Sequence, residues 1–177
     1  MSARAAAILP EALVDVFEHV PEYRDYEDSD AVKSSESEFR ISLGRVIKAW
    51  GDQLLDVAEN RSTPLSRQEL ESIDVILGEI AELFDQLNRF QPTRLTAGER
   101  ARRDRLRRAD ARIIAIMEEA DRSIQLLRDR RRAARWLDDE AASMAQSLQA
   151  LVTGLERRND VLLAPSGRPV PEPEDVR

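Results

Sequence analysis

The segment LRRADARIIAIMEEADRSIQLL, residues 106 to 127, decides the fold class of this chain. Counting in steps of seven from Leu106, every position as far as Leu155 is apolar or alanine, and neither glycine nor proline occurs from Glu99 to Thr153. Apolar residues that recur at this spacing form the contact seam of a coiled coil. The pattern predicts one very long C-terminal helix, from about 97 to 160, which would be about 95 Å long at 1.5 Å per residue.

A break near 128 to 138 is the alternative to this unbroken helix. Arg130 and Arg131 stand where the companion positions of the seam are otherwise apolar, and Asp138 suits the first position of a new helix. A break would leave four helical pieces of similar length, as a four-helix bundle requires. The predicted fold class is therefore all-α, an elongated antiparallel helical bundle or coiled coil, with the last helix continuous or broken to give a four-helix bundle.

Two earlier helices are also expected. Ser66 and Glu69 have the spacing of a capping box, which begins a helix, and apolar residues keep a seven-residue rhythm from there to Phe90. Ser35 and Glu38 have the same spacing and predict the start of another helix that runs to about residue 60. Its apolar face includes Trp50.

These elements divide the chain into four segments. We expect a short amphipathic N-terminal helix in residues 1–20 and an acidic flexible linker in 21–37. A helical coiled-coil bundle follows in 38–160, and a proline-rich disordered tail in 161–177. Charge is unequally distributed, because residues 1–90 carry 9 basic and 19 acidic side chains whereas residues 91–177 carry 18 basic and 15 acidic side chains.

Composition excludes several kinds of chemistry. The chain has no cysteine and a single histidine, His19, so thiol catalysis, catalytic triads and multi-histidine metal sites are not available. The isolated glycines form no phosphate-binding loop. We therefore expect no enzymatic activity, no catalytic residue, no cofactor and no metal. The apolar run near the N-terminus is too short for a signal core or a membrane span, so a cytoplasmic protein without membrane association is expected.

Arginine clusters are the most distinctive polar feature of the sequence. One group lies between Arg100 and Arg108, and a second group, which is a candidate binding surface for a partner, consists of Arg128, Arg130, Arg131, Arg132 and Arg135. One interpretation is a solvated helix face held by local ion pairs. The others are a surface for an acidic protein and a surface for nucleic acid phosphates. The absence of aromatic residues interleaved among the arginines and the net charge of −7 argue against nucleic acid.

The N-terminal helix supplies the other candidate binding residues, Leu9, Leu13 and Phe17, which recur at helical spacing. This helix either docks in a groove of a partner or packs on its own bundle. The sequence thus predicts a non-enzymatic scaffold, adaptor or export-chaperone-like protein. It would act through coiled-coil contacts and associate with itself. The alternative is a nucleic-acid-associated helical protein that uses both arginine groups.

Overall fold

The structure, a computed structural model, describes residues 11–21, 29–59, 65–89, 100–126, 136–137 and 139–163. These residues form the helices α1 (Glu11–Glu18), α2 (Ser29–Glu59), α3 (Arg67–Arg89), α4 (Arg100–Gln125) and α5 (Ala141–Leu163). The all-α prediction is therefore confirmed for the described residues. None of the described helices combines the length and the hydropathy needed to cross a membrane.

Most of the apolar positions with seven-residue spacing point into one core that all five helices share. The largest fully buried side chains include Trp50 and Trp136. The following predicted seam residues are buried: Ile73, Ile76, Ile80, Leu83, Leu87, Leu106, Ile113, Ala120, Ala141, Leu148 and Leu155. The periodicity therefore identified the faces that the helices bury.

Helices α4 and α5 pack antiparallel, which corrects the expectation of one unbroken helix from 97 to 160. Trp136 Nε1 donates to the carbonyl oxygen of Ser123 at 2.9 Å, and a Cβ atom added at Gly154 would lie 3.3 Å from Ile113 Cγ1. In one straight helix, positions 113 and 154 would be about 62 Å apart. The chain therefore reverses between α4 and α5. The seven-residue count continues across the reversal because both helices turn their apolar faces to the same core.

Helix α3 runs antiparallel to α2, and two glycines of α2 lie at their contact. A Cβ atom added at Gly44 would lie 3.7 Å from Phe84, and one added at Gly51 would lie 3.7 Å from Ile80. Helix α3 begins where the capping box predicts. The backbone N–H of Ser66 donates to Glu69 Oε2 at 2.7 Å, and that of Glu69 donates to Ser66 Oγ at 3.2 Å. These bonds satisfy N–H groups that a helix start leaves without partners.

Helix α2 begins at Ser29, earlier than the predicted capping box at Ser35, so residues 29–37 of the predicted linker are helical. Val32 is buried with Leu106 of α4 and with Val161 and Leu162 of α5 in a second small core. Burial of Val32 gives the early turns of α2 a stabilising contact that the acidic composition of this segment obscured. At the other end, α5 continues to Leu163, slightly into the segment predicted as the tail.

Candidate functional site

The arginines predicted as a binding surface, Arg128, Arg130, Arg131, Arg132 and Arg135, lie outside the described residues, as does Leu9. Leu13 is buried in the main core, and Phe17 is half-buried against it. Helix α1 therefore packs on the protein's own helices, and its docking on a partner stays a prediction. His19 also makes a local contact, since its Nδ1 lies 2.7 Å from the carbonyl oxygen of Asp15 in the same helix.

The first arginine group lies on the first half of α4. Arg100, Arg107 and Arg108 are exposed, and Arg102, Arg103 and Arg105 are half-buried, so this group lies at the surface of the protein. Between residues 100 and 112 the acids are Asp104 and Asp110. Asp110 is buried, and Asp104 lies 3.9 Å from Arg107. Arginines therefore outnumber acids on this part of α4.

A charged cluster lies inside the core, and the sequence analysis did not identify it. We call it the buried charged cluster, and its members are Glu36, Arg40, Asp110, Arg158 and Asn159. Glu36 and Arg158 are both 0% exposed, and two nitrogens of the Arg158 guanidinium each donate to Glu36 at 2.6 Å. Arg158 Nε donates to Asp110, and the guanidinium also lies 5.0 Å from the centroid of the Phe39 ring.

Arg40 extends the buried charged cluster toward α3. Its guanidinium donates to Asn159 Oδ1 at 2.5 Å and to the carbonyl oxygens of Gln86 and Leu87 at 3.4 and 3.2 Å. Its Nε also lies 3.6 Å from Glu36. The cluster therefore joins α2, α3, α4 and α5. Its carboxylates and guanidiniums balance, with two negative and two positive groups, which lowers the cost of burying charge.

Asp110 is the least satisfied member of the buried charged cluster. One carboxylate oxygen accepts from Arg158, whereas the other is buried and accepts no hydrogen bond within the described structure. Burial raises the pKa of Asp110 above its ordinary value, and the charge and hydrogen bond of Arg158 only partly oppose this effect. The ionised form of Asp110 is therefore held in the core at a cost.

An open groove of about 330 Å³ adjoins this cluster between α2 and α3. We call it the α2–α3 groove. Ile41 stands at its edge with 52% of its surface exposed, beside the half-buried Phe84 and the buried Leu87. The complete lining is Glu36, Ser37, Arg40, Ile41, Gly44, Phe84, Leu87 and Asn88. The groove thus offers apolar surface next to charged groups that are already engaged with one another.

The buried charged cluster is largely shielded from solvent. Glu36, Asp110 and Arg158 are enclosed in the core, and their polar atoms are directed mainly at one another. Within the described ranges, no three acidic or histidine side chains converge as metal ligands. The described polar cluster therefore holds helices together, and the α2–α3 groove and the arginines of α4 are among the surfaces that a partner could reach.

Sequence reasoning missed the buried charged cluster because its signals are weak and far apart. Glu36 lies in a segment rich in acids, Asp110 among arginines, and Arg158 beside Arg157, so each resembles a solvated charge. One signal was present. Asp110 and Arg158 stand on the faces of their helices that also carry Ile113 and Leu155, three residues away in each case.

Comparisons with protein-family models, with curated proteins and with solved structures gave no match to this chain.

Proposed function

We propose that this chain is a non-enzymatic helical scaffold or adaptor, similar in its mode of action to an assembly factor or export chaperone, that acts by binding protein partners in the cytoplasm. The observation that carries the proposal is the α2–α3 groove, where the exposed Ile41 stands beside Phe84 and Leu87. Apolar side chains of a partner helix bind in grooves of this kind. The proposal assigns no reaction to the chain.

The buried charged cluster supports the same function indirectly. Arg40 lines the groove and is held by Asn159 and by two carbonyl oxygens of α3. A groove whose walls are connected in this way keeps its shape before a partner arrives, and such preorganisation lowers the entropic cost of binding. In this proposal the buried charged cluster stabilises the shape of the groove and takes part in no reaction.

Capture from native lysate, quantified by mass spectrometry, tests this function. The protein would be compared with Ile41→Asp, which places a charge at the edge of the groove, and with Leu55→Asp as a matched control. Leu55 lies on the same helix with 41% of its surface exposed and is not part of the groove lining. Circular dichroism would verify that both variants keep the helical content and thermal stability of the wild type.

We expect at least one protein to be captured by the wild type and by Leu55→Asp, and to be reduced about tenfold with Ile41→Asp. A tenfold loss corresponds to about 1.4 kcal/mol of binding free energy. Capture of the same proteins in equal amounts by both variants would contradict the assignment of the groove. Absence of any protein above background with the wild type would contradict the function itself.

A further inference from the structure

The outward surface of α4 carries a row of arginines. Arg105, Arg108 and Arg112 follow one another at spacings of three and four residues, so they lie on one side of the helix. Arg105 is half-buried, and Arg108 and Arg112 are exposed. We call these three residues the α4 arginine row. They lie beyond the first turn of the helix, and their guanidiniums favour a negatively charged partner there.

The outward surface of α3 has the opposite charge. Glu71, Asp74 and Asp85 are exposed on the side of α3 that lies opposite its buried residues, and we call these three residues the α3 acidic face. They extend over about 21 Å of helix at 1.5 Å per residue. Glu71 forms an exposed ion pair with Arg67 at 2.8 Å, and such a pair contributes little to stability and exchanges readily.

Gly78 lies in the middle of the α3 acidic face. A Cβ atom added to it would meet nothing within 4 Å, so no contact inside the described molecule requires a glycine there. A glycine in a helix interior destabilises it by about 0.5 to 1 kcal/mol relative to alanine. A helix of another molecule could approach closely at this point, and the neighbouring Val75, with 54% of its surface exposed, would be covered by it.

The two surfaces cannot meet within one molecule. Helices α3 and α4 each pack extensively beside α5, and each also contacts α2, but they have little contact with each other. Their outward surfaces are therefore directed to opposite sides of the protein. A contact between the two surfaces has to join different molecules. Such a contact is heterologous, so it forms a ring if the rotation between molecules closes and an open filament if it does not.

We propose that the α4 arginine row of one molecule binds the α3 acidic face of a second copy of this chain. This inference extends the proposed scaffold function by naming one partner, the chain itself, and it uses surfaces distinct from the α2–α3 groove. Arginine guanidiniums bind carboxylates through paired hydrogen bonds. The α4 arginine row extends over about 10 Å of helix, so it can reach Glu71 and Asp74 together, whereas Asp85, which already has an interaction within its own molecule, adds to the charge of the face. Both lysines of the chain, Lys33 and Lys48, lie on α2 and not beside the arginines of α4.

A second copy is a better occupant than nucleic acid for two reasons. The described tryptophans, Trp50 and Trp136, are buried in the core, so they offer no stacking surface beside the α4 arginine row. The net charge of −7 repels a polyanion more than it repels a second copy, because the second copy carries −7 in total whereas the charge of a polyanion grows with its length. Binding of nucleic acid without self-association is therefore an outcome that contradicts the proposal.

Sedimentation velocity of the full chain tests the proposal. The wild type would be compared with a row variant, in which Arg105, Arg108 and Arg112 are each replaced by Glu, and with a face variant, in which Glu71, Asp74 and Asp85 are each replaced by Arg. Each variant keeps one intact surface. Measurements would be made in about 0.1 M and about 1 M NaCl, where the Debye length falls from about 10 Å to about 3 Å.

We expect the wild type to form species of at least twice the monomer mass at low salt and to dissociate at high salt. Each variant alone should be monomeric, since one of its two surfaces no longer attracts the other. An equal mixture of the two variants should form a dimer and nothing larger, because the intact row of one binds the intact face of the other and no further surface remains. Formation of this dimer also shows that both variants are folded.

Three results would overturn the proposal: a wild type that is monomeric in both salts, single variants that associate as the wild type does, or a mixture that stays monomeric. A monomeric wild type that binds a duplex oligonucleotide in a salt-dependent manner would assign the α4 arginine row to nucleic acid instead. The scaffold function fails on different evidence, the absence of any captured protein above background with the wild type. Failure of self-association therefore leaves that function in place.

Discussion

Glu36 and Arg158 are 122 residues apart in the sequence and form an ion pair in the core with two nitrogen to oxygen distances of 2.6 Å. Helices α2 and α5, which carry them, make few backbone contacts, so the long arginine side chain bridges the interior between them. Asp110 of α4 contacts the same guanidinium. One side chain thus connects three helices, and the predictions below begin from this arrangement.

Glu36→Gln and Arg158→Met should each destabilise the protein strongly, by about 3 to 5 kcal/mol, because removal of one partner leaves the other charge buried without it. The double variant should cost less than the two single variants together, with a coupling of about 1 to 3 kcal/mol. Urea denaturation would measure the free energy of unfolding of all four proteins. Additive effects would mean that the two side chains do not interact.

The exposed pair Arg67 and Glu71 is the control for this cycle, since its side chains are 92% and 62% exposed. Arg67→Met should change the free energy of unfolding by less than about 1 kcal/mol. A cost like that of Arg158→Met would show that charge removal in general, and not burial, causes the loss.

The wild type and Asp110→Asn should differ in stability by an amount that depends on pH, because the pKa of Asp110 is raised. Because burial raises the folded-state pKa above the ordinary value of 3.8, protonation of Asp110 favours the folded state. Its favourable contribution is present below the unfolded-state pKa and is lost as pH rises through the folded-state pKa. As pH rises from the unfolded-state pKa to the folded-state pKa, the free energy of unfolding of the wild type should therefore fall relative to that of the variant. At higher pH the difference between the two proteins should stay constant.

Urea denaturation of both proteins across the acidic and neutral range would measure this difference. The two proteins differ only at position 110, so the difference between the two curves reports the carboxyl group of Asp110. A wild type that gains stability relative to Asp110→Asn as pH rises would contradict a raised pKa and would indicate that Arg158 outweighs burial.

Gly78→Ala and Gly154→Ala should have different effects on the stability of the protein, although both replace a glycine inside a helix. At Gly78 the new methyl group meets nothing within 4 Å, so the substitution should stabilise the helix by about 0.5 to 1 kcal/mol. At Gly154 the new Cβ would lie 3.3 Å from Ile113 Cγ1, so crowding between α4 and α5 should remove this gain. Thermal unfolding would measure both, and equal stabilisation would contradict the close packing of α4 and α5.

Local features of the sequence predicted local structure well. Ser66 and Glu69 lie three residues apart, and their reciprocal hydrogen bonds are present at the start of α3. The seven-residue spacing identified the buried faces because side chains three or four positions apart share a side of a helix. Neither prediction depends on residues distant in the chain.

The features that the sequence did not reveal depend on distant residues. Arg158 is buried because Glu36 and Asp110 meet it, and no spacing rule connects positions so far apart. The reversal between α4 and α5 was hidden for a related reason. Ala120 and Ala141 keep the seven-residue count on both sides of it, since each helix buries its own face in the same core.

The antiparallel return of α5 along α4 is the claim on which the cluster and both outward surfaces depend. It is tested most directly by double electron–electron resonance between nitroxide labels at Ala111→Cys and Arg157→Cys. Both positions are exposed, and the chain has no cysteine of its own. Dilution with unlabelled protein in about 1 M NaCl would suppress distances between molecules.

Adjacent helix axes lie about 8 to 10 Å apart, so with the label arms included the antiparallel arrangement predicts a distance below about 35 Å. The unbroken helix would separate the two positions by about 69 Å. A distribution centred near that longer distance would contradict the fold, the buried charged cluster and the arrangement of the two surfaces together.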